Sequence, residues 1–333
     1  MLRPTPYYPS FWKREVYRPH ICLVCRAEAK RYADAERLFL MEKVQHGDKA
    51  RTGVAFSSGF FGFFAHAGFL AAVREVGIRP LAYSGASSGA IVAAMAACSM
   101  EDRAIRDMLF RLKKSDFWDP DPWSRVLLYA FRRFRGYTGY LRGGGFARML
   151  KRLPAKKFEE CDTPLAISAT NLTRRTPTVF SSGDLIKAVQ ASGSVPVLFK
   201  PVEINGDLCV DGGVCGKAPV AALAGLCDLD RIIVHFIPSS NLEEGRNAFL
   251  EKRFSAWHIQ HLSVNMARQE AYEKELQMVR ERGIEVVEIR TESPGLGPKT
   301  LHRGKEAYEA ARASGLGLLG AAALFDRGYT AGS

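Results

Sequence analysis

Short apolar runs alternate along this chain with longer segments whose apolar residues recur at helical spacing. A short apolar run between turn signals is typical of a strand that is buried on both faces of a sheet. Such runs predict strands at 54–56, 80–83, 165–169, 178–180, 202–204, 207–210, 232–237 and 284–289. Helical spacing predicts helices at 65–75, 90–97, 184–191 and 304–313. This alternation predicts an α/β protein, a three-layer α/β/α sandwich around a mainly parallel sheet.

Local signals mark the ends of several of these elements. Gly77 follows the first long helical segment and is expected to be its C′ residue. Asp184 precedes another helical segment and is a candidate N-cap. The dipeptide Asn205-Gly206 lies between two short apolar runs, which predicts a hairpin with a two-residue turn.

The same pattern divides the chain into three segments. Residues 1–52 are an aromatic and basic N-terminal extension, with a charged helical stretch at 27–44. Residues 53–240 carry most of the alternating elements and are predicted to form the core. Residues 241–333 add helices and a strand that are expected to complete the same domain.

Basic residues outnumber acidic ones along the chain. Its 333 residues include 47 lysines and arginines against 35 aspartates and glutamates, a formal net charge of +12. This charge favours a negatively charged partner, such as an anionic membrane surface or an acidic substrate. Because the basic residues are dispersed and no nucleic-acid recognition fold accompanies them, we do not expect nucleic-acid binding. The sequence does not indicate an oligomeric state.

The termini and cysteines bear on the compartment. The first twenty residues lack the apolar core and cleavage site of a signal peptide. The seven cysteines are odd in number and scattered, which favours a reducing, cytoplasmic compartment. Cys22 and Cys25 follow His20 as a single C-x-x-C pair. One such pair is half of a zinc site, so we expect no bound metal.

The segment Gly85-Ala86-Ser87-Ser88-Gly89 has the G-x-S-x-G pattern of a nucleophile elbow. It lies between a predicted strand and a helix of small residues. On such a turn the serine hydroxyl projects away from the backbone, and the glycines let neighbouring chain approach. The N-terminus of the following helix also favours negative charge that develops nearby. Ser87 is therefore the candidate nucleophile.

A serine nucleophile needs a base, and the sequence offers two kinds. Of seven histidines, only His302 comes late enough in the chain for the order that α/β-hydrolases use, and no local pattern marks it. Asp211-Gly212-Gly213 directly follows the second arm of the predicted hairpin. The Asp211 carboxylate then lies at the end of a strand beside two flexible glycines, which makes it the stronger candidate.

These segments resemble the patatin-like phospholipase family from about Gly53 to Val220. Gly85–Gly89 matches the G-x-S-x-G of the family, and Asp211-Gly212-Gly213 matches its D-G-[AG]. Three segments between them also resemble the family in the same order: 164–172, 179–183 and 191–196.

The resemblance implies a patatin-like fold and a Ser–Asp dyad. Ser87 would attack an ester carbonyl while Asp211 accepts its proton, which gives an acyl-enzyme that water hydrolyses. A solvated carboxylate is a weak base at neutral pH, so Asp211 is expected in a partly desolvated site that raises its pKa. The dyad requires neither metal nor cofactor. Residues 53–240 would then be the catalytic core.

The chain departs from the family in the glycine-rich loop that forms the oxyanion hole. The family uses G-G-G-x-[RK]-G or G-x-G-x-x-G, whereas this chain has Ser57-Ser58-Gly59-Phe60-Phe61-Gly62. Two glycines, Gly59 and Gly62, remain, and Phe61 stands at the basic position. Because the donors in such a hole are backbone N–H groups, Gly59 and Phe60 stay the candidate oxyanion residues.

Two features allow a functional and a purely structural interpretation. The segment 117–135 mixes tryptophan, phenylalanine and arginine, which suits an interfacial lid on a lipid-acting enzyme. The same composition suits an amphipathic helix whose aromatic face packs in the core. His66 follows the glycine loop and lies either at the mouth of the site or in the interior as a structural histidine.

The sequence as a whole predicts a serine lipid acyl hydrolase that cleaves fatty-acyl esters of phospholipids or lysophospholipids. Its expected partners are a lipid ester and the anionic membrane surface that carries it. A neutral-glyceride lipase and an acyl transferase are alternatives with the same chemistry. A catalytically weak membrane-binding scaffold, whose oxyanion loop has degraded, is the alternative of a different class.

Overall fold

The computed structural model describes residues 50–238, 256–291 and 293–326, with the side chains of 256–262 and 320–326 left out of the description. The helical stretch at 27–44 and the pair Cys22 and Cys25 therefore lie outside the described residues. Ten strands are described: β1 Thr52–Phe56, β2 Ala82–Ala86, β3 Gly139–Leu141, β4 Leu165–Asn171, β5 Thr176–Phe180, β6 Val197–Phe199, β7 Val202–Ile204, β8 Asp207–Asp211, β9 Arg231–His235 and β10 Glu285–Ile289.

Ten α-helices and three 3₁₀ turns accompany these strands in the described part of the chain. The helices are α1 Phe63–Glu75, α2 Ser88–Ala97, α3 Asp102–Phe110, α4 Lys114–Phe117, α5 Trp123–Phe131, α6 Gly144–Leu150, α7 Leu185–Ser192, α8 Val220–Ala224, α9 Ala256–Glu281 and α10 Gly304–Asp326. The 3₁₀ turns are Phe158–Glu160, Gly212–Val214 and Leu301–Arg303.

Eight strands form the central sheet in the order β10-β9-β1-β2-β4-β8-β7, with β5 beside β4. The run from β10 to β4 is parallel throughout, whereas β5, β8 and β7 are antiparallel to their neighbours. The predicted mainly parallel sheet is therefore confirmed. Parallel neighbours place the carboxyl ends of β1, β2 and β9 at one edge of the sheet.

Helices cover both faces of this sheet. On one face Val54 and Phe56 of β1 pack in a large core together with α1, α2 and α10. On the other face Ala55 packs in a second core with α8 and α9. Successive residues of a strand point to opposite faces, so one short apolar run serves both cores. This arrangement is the predicted three-layer α/β/α sandwich.

The local signals in the sequence correspond to real ends of elements. Gly77 follows α1 with φ of +85°, the left-handed conformation of a C′ glycine. The side chain of Asp184 accepts a hydrogen bond from the Lys187 N–H and caps α7. Asn205 and Gly206 both have positive φ, 51° and 84°, as a type I′ hairpin turn requires. All three predictions are confirmed.

Several predicted boundaries were wrong, by a few residues for one strand and by more than three helical turns for the last helix. The strand predicted at 80–83 is β2, Ala82–Ala86, which runs into the G-x-S-x-G segment itself. The helix predicted at 304–313 continues to Asp326. The small parallel pair of β3 with β6 was not predicted, since three-residue strands leave no periodic signal.

The basic and aromatic segment 117–135 divides into two parts. Phe117 is buried and Trp118 is half-buried, so the start of the segment packs as a core segment does. Helix α5 follows and has no buried residue. The interpretation in which the aromatic face of this helix packs in the core is therefore wrong for α5. No described helix contains a stretch long and apolar enough to span a bilayer.

Candidate active site

Ser87 lies on the sharp turn between β2 and α2. Its φ of 53° and ψ of −119° lie outside the regions that residues other than glycine usually adopt. The two glycines of the motif permit this turn. A Cβ atom on Gly85 would clash with the carbonyl oxygen of Gly89, and one on Gly89 would clash with that of Phe56. The predicted strand–turn–helix context of Ser87 is therefore confirmed.

The hydroxyl of Ser87 donates a hydrogen bond to Oδ2 of Asp211 over 2.6 Å. Asp211 is the last residue of β8 and reaches Ser87 because β8 pairs with β4, which in turn pairs with β2. Both residues are only 5% exposed. The structure thus brings together two side chains that lie 124 residues apart in the sequence.

Asp211 is fixed from several directions. Its Oδ1 accepts a hydrogen bond from the Gly213 N–H over 2.6 Å. Its own N–H donates to the carbonyl of Ser194 over 2.9 Å, and its carbonyl accepts from the Thr170 hydroxyl over 2.9 Å. A Cβ atom on Gly212 would clash with the carbonyl oxygen of Ser168, which explains the first glycine of this motif. The carboxylate therefore has one oxygen oriented by backbone and one left for Ser87.

Burial raises the pKa of Asp211 from its ordinary value to about 6. The hydrogen bonds from Ser87 and Gly213 and the charge of Arg268 favour the ionised form and offset this rise only in part. A carboxylate with this pKa is largely ionised at neutral pH and is still a better base than a solvated aspartate. The raised pKa that the sequence led us to expect is confirmed.

The loop Ser57–Gly62 connects the end of β1 to α1. Within it the Gly62 N–H donates to the carbonyl of Gly59 over 2.6 Å, and Phe60 has a positive φ of 46°. In the described part of the chain nothing accepts a hydrogen bond from the N–H groups of Gly59 and Phe60. The loop thus presents two free backbone donors at the positions named from the sequence.

Two buried histidines hold the beginning of this loop. Nε2 of His66 lies 2.8 Å from the carbonyl oxygen of Ser57, and the two Nδ1 atoms of His66 and His235 are 2.7 Å apart. Because a carbonyl only accepts, His66 carries its proton on Nε2, and His235 donates from Nδ1. Nε2 of His235 then accepts from the Thr291 hydroxyl over 2.8 Å. The result is a directed chain of hydrogen bonds that ends on Ser57.

Burial keeps both histidines neutral. It lowers the pKa of His66 to about 3, although the bond to Ser57 acts in the opposite direction. The pKa of His235 falls well below its ordinary value because of burial and of the neighbouring His66. Of the two interpretations of His66, the structural one is confirmed, since its ring is fully buried.

An apolar cavity of about 70 Å³ opens beside Ser87. Phe60 and Phe61 of the loop form part of its wall, and Phe117, Phe146, Met149 and Phe199 are among the other aromatic and aliphatic residues that line it. The ring of Phe61 lies 5.6 Å from that of Phe117. Phe61 stands where the family has a basic residue, and here its ring completes an apolar surface. The cavity suits an apolar group attached to whatever Ser87 attacks.

Three residues support this site without having been identified from the sequence. The Ser87 N–H donates to the Ser192 hydroxyl over 2.9 Å, which fixes the turn. Arg268 of α9 donates to the carbonyl of Gly213 over 2.9 Å and places a positive charge near Asp211. His235 carries the hydrogen-bond chain described above. Ser192 lies within the family-like segment 191–196, whereas no local pattern marks Arg268 or His235.

His302, the late histidine considered as a base, does not bond to Ser87. It lines a different cavity, together with Lys305 and other basic residues. In the part of the chain that the structure describes, Asp211 is the ionisable side chain that accepts from the Ser87 hydroxyl. No group of three or more histidine, cysteine, aspartate or glutamate side chains among the described residues is arranged to hold a metal ion.

Comparison with known proteins places most of this fold in one family. A family model described as patatin-like phospholipase matches residues 54–224. An uncharacterized NTE family protein from Mycobacterium tuberculosis is 26% identical over 185 residues, which cover 55% of this chain and 48% of that protein. Lysophospholipase NTE1 from Cryptococcus neoformans is 29% identical over 162 residues, which cover 48% of this chain and 9% of that protein.

One human relative is named for acyl transfer and not for hydrolysis. Omega-hydroxyceramide transacylase from Homo sapiens is 30% identical over 196 residues, which cover 54% of this chain and 34% of that protein. The chain spans about half the length of the mycobacterial relative and a smaller share of the other two. The match with the family model ends at residue 224, before β9 and β10 of the central sheet.

Proposed function

We propose that this chain, which belongs to the patatin-like phospholipase family, is a serine hydrolase of fatty-acyl esters in phospholipids or lysophospholipids. The observation that carries the proposal is the 2.6 Å hydrogen bond from the Ser87 hydroxyl to the buried Asp211 carboxylate. The apolar cavity beside Ser87 supports an acyl chain as the group bound there.

The proposed reaction uses these two side chains in turn. Ser87 Oγ attacks the ester carbonyl carbon and its proton moves to Oδ2 of Asp211. The tetrahedral intermediate collapses, and the departing alcohol takes the proton from Asp211. Water then attacks the acyl group on Ser87 and gives a proton to Asp211. Release of the fatty acid returns that proton to Ser87.

The oxyanion of each tetrahedral intermediate needs hydrogen-bond donors that are already in place. We assign this role to the N–H groups of Gly59 and Phe60, which have no other acceptor in the described part of the chain. The chain from His235 through His66 to Ser57 fixes the start of the loop before substrate binds. Preorganised donors of this kind lower the barrier because they need no rearrangement during reaction.

The proposal is tested by reaction with a fluorophosphonate probe followed by assays of p-nitrophenyl butyrate and lysophospholipid hydrolysis. We expect covalent labelling at Ser87, found by peptide mass spectrometry, and release of fatty acid. A protein that is folded yet neither labels nor hydrolyses any ester would overturn the proposal. Vesicle binding without either activity would favour the membrane-binding scaffold.

We expect Gly62→Ala to lower kcat by about 10²–10³-fold while KM changes little. A Cβ atom on Gly62 would lie 2.8 Å from the carbonyl oxygen of Gly59 and would clash with Ile237, so the loop must shift. The matched control is Gly317→Ala, since a Cβ atom on the exposed Gly317 meets nothing within 4 Å. Equal kcat values for the two variants would show that the Ser57–Gly62 loop does not stabilise the oxyanion.

An acyl transferase is a second candidate because of the surroundings of Ser87. The nucleophile is 5% exposed and lies beside an apolar cavity, where a lipid alcohol competes well with water for an acyl-enzyme. The similarity to the human transacylase also supports acyl transfer as the alternative reaction. Product analysis with a lipid alcohol as acceptor separates the two reactions, since transfer yields a new ester and hydrolysis yields free fatty acid.

We further propose that helix α5 contacts an anionic membrane surface. Trp123 is 82% exposed and Phe131 is 88% exposed, and Leu127 lies between them on the same helical stripe. Residues 122–142 contain five arginines and no acidic residue. Exposed aromatic side chains beside several arginines fit the boundary between acyl chains and anionic headgroups.

The beginning of α5 is fixed to the wall of the apolar cavity. Asp121, directly before the helix, is buried and pairs with Lys200 over 2.5 Å and with Arg125 over 3.4 Å. Lys200 follows β6, which supplies Phe199 to the cavity. Contact of α5 with a bilayer would therefore hold the cavity close to the lipid surface.

We expect the double change Trp123→Ser and Phe131→Ser to weaken binding to phosphatidylglycerol vesicles by about 10–100-fold, measured by co-sedimentation. Each aromatic side chain contributes about 1 kcal/mol when part of its surface leaves water, and about 2 kcal/mol for the pair corresponds to about 30-fold. The control is Val179→Ser with Leu208→Ser, which removes two side chains exposed by 48% and 44% at another part of the surface. Equal vesicle binding by the two double variants would rule out this role for α5.

A further inference from the structure

A second cavity, of about 330 Å³, lies next to the apolar one and is strongly basic. Four lysines line it: Lys113, Lys114, Lys299 and Lys305. His302 lines it as well, and no acidic residue does. Its apolar lining comes from Phe110 and a few aliphatic residues. We call this space the basic cavity; its volume falls in the usual range of small-molecule sites.

The positive charges of the basic cavity are not neutralised within the described structure. No described carboxylate forms an ion pair with any of the four lysine ammonium groups. Lys114 instead places its ammonium 3.9 Å from the ring centre of Trp118. Four like charges around one cavity raise the local positive potential and attract an anion. Lysine binds phosphate as a point charge, so no fixed bidentate geometry is required.

The basic cavity adjoins the cavity that contains Ser87. Leu112 and Pro298 line both cavities. Lys114 lines the basic cavity, and its ammonium lies over the ring of Trp118. Trp118 in turn lines the apolar cavity. The two cavities therefore share part of their wall, and the lysines lie on the far side of that wall from the apolar cavity.

We propose that the basic cavity binds the phosphate group of a phospholipid whose acyl chain occupies the apolar cavity. The inference rests on the proposed function and deepens it, because it names the residues that would bind the phosphate group and selects anionic phospholipids among the proposed substrates. A diacylglycerol has no anionic group to pair with the four lysine ammonium groups. They match the charge of a phosphatidic acid or another anionic phospholipid.

The test compares two lipids below their critical micelle concentrations, so that no membrane surface takes part. The substrates are dihexanoyl phosphatidic acid and dihexanoylglycerol, each assayed by release of hexanoate. The variant is Lys113→Gln, Lys299→Gln and Lys305→Gln together. We expect the ratio of kcat/KM for the phosphatidic acid to kcat/KM for the diacylglycerol to fall by about tenfold or more.

A second triple variant separates the basic cavity from overall charge. This variant also loses three positive charges, but from exposed positions elsewhere: Lys151→Gln, Lys157→Gln and Lys187→Gln. We expect this control to keep the wild-type ratio. An unchanged ratio in the first variant, or an equal fall in both, would overturn the inference. If wild type labels with the fluorophosphonate and hydrolyses both lipids at equal rates, the inference fails while the proposed function stands.

Direct binding distinguishes a lipid headgroup from free phosphate and does not depend on catalysis. Calorimetry of the Ser87→Ala protein with sn-glycerol 3-phosphate is expected to give a dissociation constant that rises about tenfold or more in the first triple variant. Inorganic phosphate is titrated in parallel. Binding of inorganic phosphate with no difference between the two lipid substrates would assign the cavity to a free anion and overturn the headgroup role.

Discussion

Ser87→Ala is expected to abolish fluorophosphonate labelling and to lower ester hydrolysis by more than about 10⁴-fold. Removal of the nucleophile from a serine hydrolase leaves only the contributions of binding and of the oxyanion donors. The fold should be retained, because the alanine keeps the backbone and the Ser87 N–H still reaches the Ser192 hydroxyl. Gel labelling and initial rates, with circular dichroism for the fold, measure both effects.

The adjacent serine provides the control for this change. Ser88 is buried, and its hydroxyl has no hydrogen-bond partner among the described residues. Ser88→Ala removes that unpaired group and leaves the bond between Ser87 and Asp211 intact, so labelling should persist. Labelling that survives in Ser87→Ala and disappears in Ser88→Ala would move the nucleophile to the neighbouring residue.

The two central residues of the site could be identified from sequence because each lies in a short motif with a local physical cause. Ser87 needs glycines on both sides, since a Cβ atom at Gly85 or Gly89 would clash with nearby backbone. Asp211 precedes a glycine that lies against the backbone of Ser168. Close approach of backbone requires glycine and therefore leaves a pattern that can be read along the chain.

Other parts of the site depend on long-range packing and leave no such pattern. Arg268 reaches the carbonyl of Gly213 from α9, 55 residues further along the chain. The basic cavity joins Lys113 to Lys299, and these two lysines are adjacent only because the fold brings α4 next to the segment before α10. A lysine in a solvated helix and one in a binding cavity look alike in sequence.

The glycine loop Ser57–Gly62 could be predicted from its sequence only in part. From the sequence, the replacement of the basic residue by Phe61 suggests a degraded oxyanion hole. In the structure Phe61 lines the apolar cavity, and no described residue accepts a hydrogen bond from the N–H groups of Gly59 and Phe60. Backbone donors depend on the path of the chain, and here buried histidines bonded to Ser57 fix that path. Side-chain identity in this loop therefore does not decide whether its backbone N–H groups stay available as donors.

Asp211→Asn is expected to lower kcat/KM by about 10²–10⁴-fold and to remove its dependence on pH around 6. In wild type the ionised carboxylate is the base and burial raises its pKa to about 6. The rate should therefore fall about tenfold per pH unit below 6 and level off above it. Asparagine cannot take the proton of Ser87. Its amide can still accept from Gly213 through Oδ1 and donate to Ser87 through Nδ2, so the site keeps its shape.

The same change predicts the sign of an effect on stability. A carboxyl group whose pKa is higher in the folded than in the unfolded protein destabilises the fold when it ionises, and this cost reaches its full size above the folded pKa. The neutral amide avoids that cost, so Asp211→Asn should melt at the same temperature as wild type or higher at pH 8. At pH 4 Asp211 is protonated in the folded protein, and the difference should shrink. A variant that loses activity because it unfolds would melt lower at both pH values, whereas loss of the base alone leaves a stable protein whose residual rate is flat across pH 6.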